Sequence, residues 1–268
     1  MHIIVCIKQI LNPDIATTVF RVDEEAKRVV PLPGLSPVIS PFDAQAVEAA
    51  MRIKDTGGDG VKITVMTMGP EGDRAVLKTG LAMGADEGVL LADAAFEGAD
   101  STTTARVLAA AIRKTGDADL ILTGRQAADG DDGVVGLGLA ELLRRPAITF
   151  AKDIQSTNGM VRVVRVLEDG FETMEAPLPA VVTVAHEIGK PRYSSLRETM
   201  RAAKKPVHAW TASDLDLDPR EIGGAGMRRI LERLYIPVKT IECEFIDGET
   251  PEDTAAKLVQ RLREVDVI

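Results

Sequence analysis

Residues 120–136 read Leu-Ile-Leu-Thr-Gly-Arg-Gln-Ala-Ala-Asp-Gly-Asp-Asp-Gly-Val-Val-Gly and combine one cation, Arg125, with three aspartates and four glycines. The run opens on contiguous aliphatics (Leu120, Ile121, Leu122), breaks at Gly124, loops through Asp129, Asp131 and Asp132, and closes on Gly133 and Gly136 before an apolar helical pattern. A loop from the carboxyl end of a buried strand to a helix start is where α/β sheets bind ligands. There the free backbone N–H groups and the positive helix end attract phosphate. Glycine lets backbone approach a ligand closely, and Arg125 could add a planar cationic fork. The residues therefore point to a nucleotide site. The competing reading is an ordinary acidic strand–helix turn, its aspartates solvated or capping the helix rather than holding Mg²⁺.

Other chemistries find no residues to run on. The chain has no Walker P-loop and no strand followed by G-x-G-x-x-G. Gly136-Leu137-Gly138 falls inside a helical pattern and carries no weight as a motif. His2, His186 and His208 are scattered, no Cys–His spacing suits zinc, and no G-x-S-x-G elbow occurs. No nucleophile with its base is evident. These absences read as a nucleotide-binding protein rather than a complete enzyme, with no catalytic residue and no metal site assigned.

The elements that must position such a site alternate. Aliphatic runs predict strands at 3–7, 62–68, 87–91 and 120–123. Helical spacing follows at 44–51, introduced by Ser40-Pro41-Phe42-Asp43, then at 71–83, 101–114 and after the acidic loop to about 143. Short strands of contiguous aliphatics imply a parallel sheet covered on both faces. Past Pro146 the pattern becomes alternating at 148–154, 160–167 and 171–175, with Asn158-Gly159 and Asp169-Gly170 as turns. This predicts an antiparallel meander, followed by one more buried strand at 179–185. Val19–Val22 and 28–30 could form a hairpin. The expected fold is thus α/β, a Rossmann-like doubly wound and mostly parallel sheet with an added meander. From Gly189 onward little is repetitive except a short basic helix ending at Lys204-Lys205-Pro206 and a well-marked final helix, Thr250 as N-cap and Pro251 at its first position. A segment that long is too much for a loose tail of a compact domain, so it wraps either its own domain or a partner, and a partner is favoured. The division expected is a nucleotide-binding domain over 1–188 and, over 189–268, a partner-wrapping arm.

Composition narrows the partners. The chain has 268 residues, 45% hydrophobic but only 3% aromatic, and a net charge of −9. Few aromatics argue against a base-stacking platform, and the charge argues against nucleic acid. Two cysteines, Cys6 and Cys243, make no disulfide framework. No apolar run reaches the ~20 residues of a membrane span. A cytoplasmic protein is the expectation.

Several of these stretches together resemble the β subunit of electron transfer flavoproteins, the group that includes the FixA proteins. The resemblance rests on Val5-Cys6-Ile7-Lys8-Gln9, the helix start at 43–50, Thr67-Met68-Gly69-Pro70, the segment 73–86 and Gly124-Arg125-Gln126-Ala127-Ala128-Asp129. Its most diagnostic piece is Val163-x-Arg165-x-x-Glu168-Asp169-Gly170-x-Glu172-x-Met174, continuing to Pro179-x-Val181-Val182-Thr183. It implies a heterodimer with an α subunit that holds most of the redox FAD, while the β chain buries a second nucleotide and extends a C-terminal arm. That nucleotide is AMP in single-flavin carriers and FAD in electron-bifurcating members. The implied site is Cys6, Ser40, Pro41, Phe42, Asp43, Met68, Gly124, Arg125, Gln126, Ala127, Ala128, Asp129, Gly130, Asp131, Asp132, Gly133, Val134 and Val135.

Val135 stands where AMP-type members usually carry a hydroxyl, and Asp129-Gly130-Asp131 with Val135-Gly136 is closer to the bifurcating pattern, although Val134 replaces its usual Gln. The sequence thus leans to FAD. The segment 190–205 resembles the family's recognition loop, with Tyr193 and Leu196 docking on a flavin dehydrogenase of the acyl-CoA type, or on a quinone-linked acceptor, and Arg197, Arg201 and Lys204 steering it. The plainer reading is a basic surface helix with Leu196 in its own core. An alternative for the whole chain is a stand-alone adenine-nucleotide sensor of the universal-stress type, whose Gly-x-x-Gly-x₉-Gly-Ser/Thr helix entry is missing.

Overall fold

A computed structural model describes the chain except residues 17, 32, 117 and 238–242 and the side chain of Asp59. In chain order the strands are β1 (His2–Cys6), β2 (Gln9–Ile10), β3 (Val22–Asp23), β4 (Arg28–Val29), β5 (Val38–Ile39), β6 (Lys62–Met68), β7 (Glu87–Leu91), β8 (Leu120–Gly124), β9 (Ala147–Thr157), β10 (Met160–Leu167), β11 (Gly170–Pro177), β12 (Ala180–Val184) and β13 (Val207–Trp210). The α-helices are α1 (Pro41–Gly57), α2 (Arg74–Met83), α3 (Ser101–Thr115), α4 (Val135–Leu143), α5 (Leu196–Ala202) and α6 (Pro251–Glu264).

Nine strands form one sheet in the order β11-β10-β9-β12-β8-β1-β6-β7-β13. The six strands from β12 to β13 are parallel, with Ile4 opposite Thr64 on one side and Ile121 on the other. The meander is antiparallel and joins through a parallel β9–β12 pair. The expected α/β doubly wound sheet is therefore present. Its contiguous aliphatics have the expected physical origin: Ile3 and Val5 enter one buried layer with Ile63, Val65, Leu120, Leu122 and residues of α1 and α2. Ile4 and Cys6 enter the other with Met66, Ile121, Val181 and residues of α3 and α4. A strand buried on both faces leaves no polar alternation.

Two features depart from the sequence reading. The pair β3–β4 is only two residues per strand, shorter than the hairpin expected. And the segment after Gly189 does not leave the domain at once. Strand β13 extends the sheet at β7, and Ala212, Leu215 and Ile222 are buried in the core. Past Gly226 the character changes: α6 is amphipathic yet has no buried residue, and Leu258 and Val259 are exposed.

Candidate functional site

Strand β1 leads by way of α1 to β6 on one side, while α3 returns the chain to β8 on the other. The strand order reverses at β1, and a crevice opens at the carboxyl ends of β1, β6, β7 and β8, as this topology requires. It holds a cavity of about 710 Å³.

The floor is built by tight approaches. A Cβ on Gly124 would lie 2.5 Å from Asp43 Oδ1 and 2.7 Å from Phe42 Cβ, so only glycine lets β8 end against the first turn of α1. A Cβ on Gly136 would meet Thr123 Oγ1 and Thr183 Cγ2 at 2.7 Å, and one on Gly138 would meet Ala105 Cβ at 2.9 Å. The two helix glycines, which carry no motif, thus seat α4 against β8, β12 and α3. No side chain caps the N-terminus of α4, and Val135 and Gly136 line the cavity. Its first-turn N–H groups are available to an anion. By contrast α3, whose start lies nearby, is capped by Asp100, which accepts N–H bonds from Thr103, Arg228 and Arg229. These donors outweigh burial and hold the Asp100 carboxyl at about 2.

Asp43 ties the crevice together. Its Oδ2 accepts from the Lys8 N–H at 2.8 Å and its Oδ1 from the Gly124 N–H at 3.1 Å, so one carboxylate joins the ends of β1 and β8. Burial pushes this carboxyl up to about 7, against the pull of both N–H groups and of the Lys8 charge, with Asp129 adding to the rise. Burial, with Asp43 beside it, also pushes the Cys6 thiol up to about 12, so Cys6 is an apolar wall residue and not a nucleophile.

The sequence-expected residues divide. Cys6, Asp43, Met68, Gly124, Gln126, Ala127, Asp132, Gly133 and Val135 line the cavity; Ser40, Pro41, Phe42, Arg125, Ala128, Asp129, Gly130, Asp131 and Val134 do not. Ser40 is fully buried with no partner for its Oγ and precedes α1 without capping it. The Arg125 guanidinium lies between the rings of Phe42 and Phe150, 5.4 and 5.5 Å from their centroids, instead of offering a fork to the cavity. Phe150 reaches it from a positive φ of 58° at an irregularity in β9. The acidic loop is tied down on both sides: Asp129 pairs with Lys8 at 2.8 Å, Asp131 accepts from Gln126 within the loop, and Asp132 pairs with Arg229 at 3.1 Å. Unanticipated wall residues include Lys8, Asp73, Phe96, Gly98 and Thr104. Phe96 and Gly98 follow the end of β7, and being at a strand's carboxyl end was the signal that could have found them.

On the opposite flank, α5 begins with a capping box between Ser195 and Glu198. Along α5 and its flanks Tyr193, Leu196 and Met200 are exposed (95%, 79% and 66%), as are Arg197, Arg201 and Lys204. Leu196 is therefore not in the chain's own core. No helix among the described residues is long and apolar enough to cross a membrane.

Residues 35–215 match the family model of the electron transfer flavoprotein domain. Over all of both chains, the sequence is 38% identical to the caffeyl-CoA reductase–Etf complex subunit CarD of Acetobacterium woodii. It is 36% identical to the electron transfer flavoprotein subunit beta of Clostridium acetobutylicum over 98% of each chain. It is 34% identical to protein FixA of Azorhizobium caulinodans over 88% of this chain and 85% of that one. The extent of these matches does not favour the stand-alone sensor.

Proposed function

Since the chain belongs to the electron transfer flavoprotein family, in its beta-subunit and FixA branch, we propose that it is the β subunit of a heterodimeric electron carrier. In this reading it buries one adenine nucleotide, helps an α subunit hold the redox FAD, and docks a flavin dehydrogenase or reductase acting on a CoA thioester. The observation that carries the reading is the cavity at the sheet reversal, with its glycine-built floor and the uncapped start of α4. The residues present fit a nucleotide. Gly133, Val135 and Gly136 at the start of α4 would take the phosphates through backbone N–H groups. Cys6 and Met68 would face the adenine as pliable apolar surface. When bound, flavin supplies the hydride and single-electron chemistry; this chain's own residues bind, orient and exclude water.

For the second nucleotide we favour FAD over AMP. Val135 offers no hydroxyl to a terminal phosphate, and the cavity lining extends from Asp43 to Phe96 and Thr104. FAD at this position would make the complex an electron-bifurcating one. The uncovered apolar face of α6 supports an arm laid on the α subunit; the buried core runs on past Gly189 to Ile222, and beyond Gly226 the chain is tethered to the domain by polar pairs such as Arg229–Asp132 and Arg233–Glu24. Two unpaired cysteines fit a reducing compartment, and we place the complex in the cytoplasm.

The test is the nucleotide content of the chain co-purified with its α subunit, by denaturing extraction and chromatography. Two FAD per heterodimer is the expected result. One FAD with one AMP would make it a single-flavin carrier, and a stable nucleotide-binding homodimer of this chain alone would remove the carrier reading.

A further inference from the structure

Helix α1 carries Asp43 to the cavity wall in its first turn, and its later turns carry a second set of polar residues. Gln45, Glu48, Arg52 and Asp55 recur at helical spacing along one face. That face grips the segment leading into α5. Gln45 Nε2 donates to the carbonyls of His186 and Gly189 at 3.3 and 3.4 Å, and Arg52 donates to the Ile188 carbonyl at 2.7 Å. Glu48 is at the centre. Its carboxylate is buried and accepts from the Arg192 N–H at 3.1 Å, Arg192 Nε at 2.8 Å and Arg52 Nε at 3.0 Å. Asp55 takes the other end of the Arg192 guanidinium at 2.8 Å. These bonds outweigh burial and hold Glu48 below the usual carboxylate range. At the far end of α5, Ala202 is buried, and Lys205 Nζ donates to the carbonyls of Leu81 and Ala85 at 2.9 and 2.5 Å, where α2 ends.

A seven-residue helix has no stability of its own in water. Every large side chain of α5 is exposed and only Ala202 is buried, so its pose rests on the close approach of its backbone to α2 and on its two roots. We propose that Glu48 is a positioning residue for partner docking: by clamping Arg192 to α1 it holds α5 and Tyr193 in one fixed pose, with Lys205 as the second pin. Pre-ordering the surface removes the ordering cost from the docking step. Because the same rigid helix carries Asp43, it also fixes the span between the nucleotide cavity and the docked partner. This inference rests on the reading of 193–204 as the docking surface.

The experiment uses the nucleotide-loaded heterodimer with an acyl-CoA dehydrogenase and its acyl-CoA as electron donor. It compares Glu48→Gln, Arg192→Gln, Arg192→Lys and Leu196→Ala by KM for the flavoprotein, kcat, nucleotide content and amide exchange over 190–204. Glu48→Gln and Arg192→Gln should each raise KM about tenfold, leave kcat and nucleotide content unchanged, and release exchange over 190–204. Arg192→Lys, which keeps the charge but not the fork, should recover part of the loss. Arg192→Gln leaves Glu48 paired with Arg52, so it serves if Glu48→Gln does not fold. Unchanged exchange in both Gln variants overturns the clamp. So does released exchange with KM unchanged while Leu196→Ala raises KM. If Leu196→Ala leaves KM unchanged, it is the docking reading that fails, and exchange alone then decides whether Glu48 orders the segment.

Discussion

The crevice at the ends of β1 and β8 and the arm beyond Gly226 handle unfinished surface in opposite ways. In the crevice the polar ends are left open on a rigid floor: α4 starts without a side-chain cap, and its first turn faces a cavity. In the arm the polar ends are closed and the apolar face is left open: Thr250 caps α6 through the Asp253 N–H, while Leu258 and Val259 stay exposed. A surface missing hydrogen-bond partners calls for a polar ligand, whereas one missing only apolar contact calls for another protein. The crevice is set by backbone packing that tolerates no added atom; α6 buries no residue and is held by surface pairs such as Arg261–Glu244.

Substitutions can break that contrast, and the largest effect on ligand retention is expected at the floor. Gly124→Ala places a methyl against Asp43 and the Phe42 backbone. It should cost about 1–3 kcal/mol and empty the cavity of nucleotide, measured by thermal unfolding and by extraction. Retention of both would show that the floor is soft. Next comes the Asp43 carboxyl, raised from 3.8 to about 7 in the folded chain. The folded state holds this proton more tightly than the unfolded one. The stability it contributes is therefore complete below pH 3.8 and is lost as pH rises to about 7. Between pH 5 and 6 the slope should approach about 1.4 kcal/mol per unit, and Asp43→Asn should flatten it in a pH series of melts.

Thr250→Ala should cost about 1 kcal/mol, confined to α6. Amide exchange at 251–256 would rise while the main unfolding transition stays put; a shifted main transition would mean that the arm is part of the domain. The smallest stability change belongs to Leu196→Ala, within about 0.5 kcal/mol because the side chain is exposed. Its effect should appear instead as slower reduction by a dehydrogenase at unchanged flavin content, and lost flavin would count against docking.

Much of this was legible before any coordinates. The runs at 62–68 and 87–91 coincide with β6 and β7 because strands buried on both faces are mostly apolar rather than alternating. Thr250 and Pro251 mark the start of α6 by local chemistry alone. Strand β13 was not legible: Val-His-Ala-Trp is short and half exposed, and it becomes a strand by pairing with β7, more than a hundred residues earlier. The site split in the same way. Gly124 and Val135 could be placed because the strand–loop–helix unit is local. Arg125 could not, since its direction depends on Phe42 from α1 and Phe150 from β9.

Residue order alone therefore settled most of the element types, the parallel sheet, the family and the strand ends at which the crevice opens, because hydrophobic period, caps and turn glycines act over a few neighbours. Which loop residues face the cavity, the glycine seats of α4, the carboxylate that ties β1 to β8 and the grip of α1 on the root of α5 were decided by the tertiary structure. Each depends on atoms from segments far apart in sequence meeting within a few ångströms, and no local pattern encodes that distance.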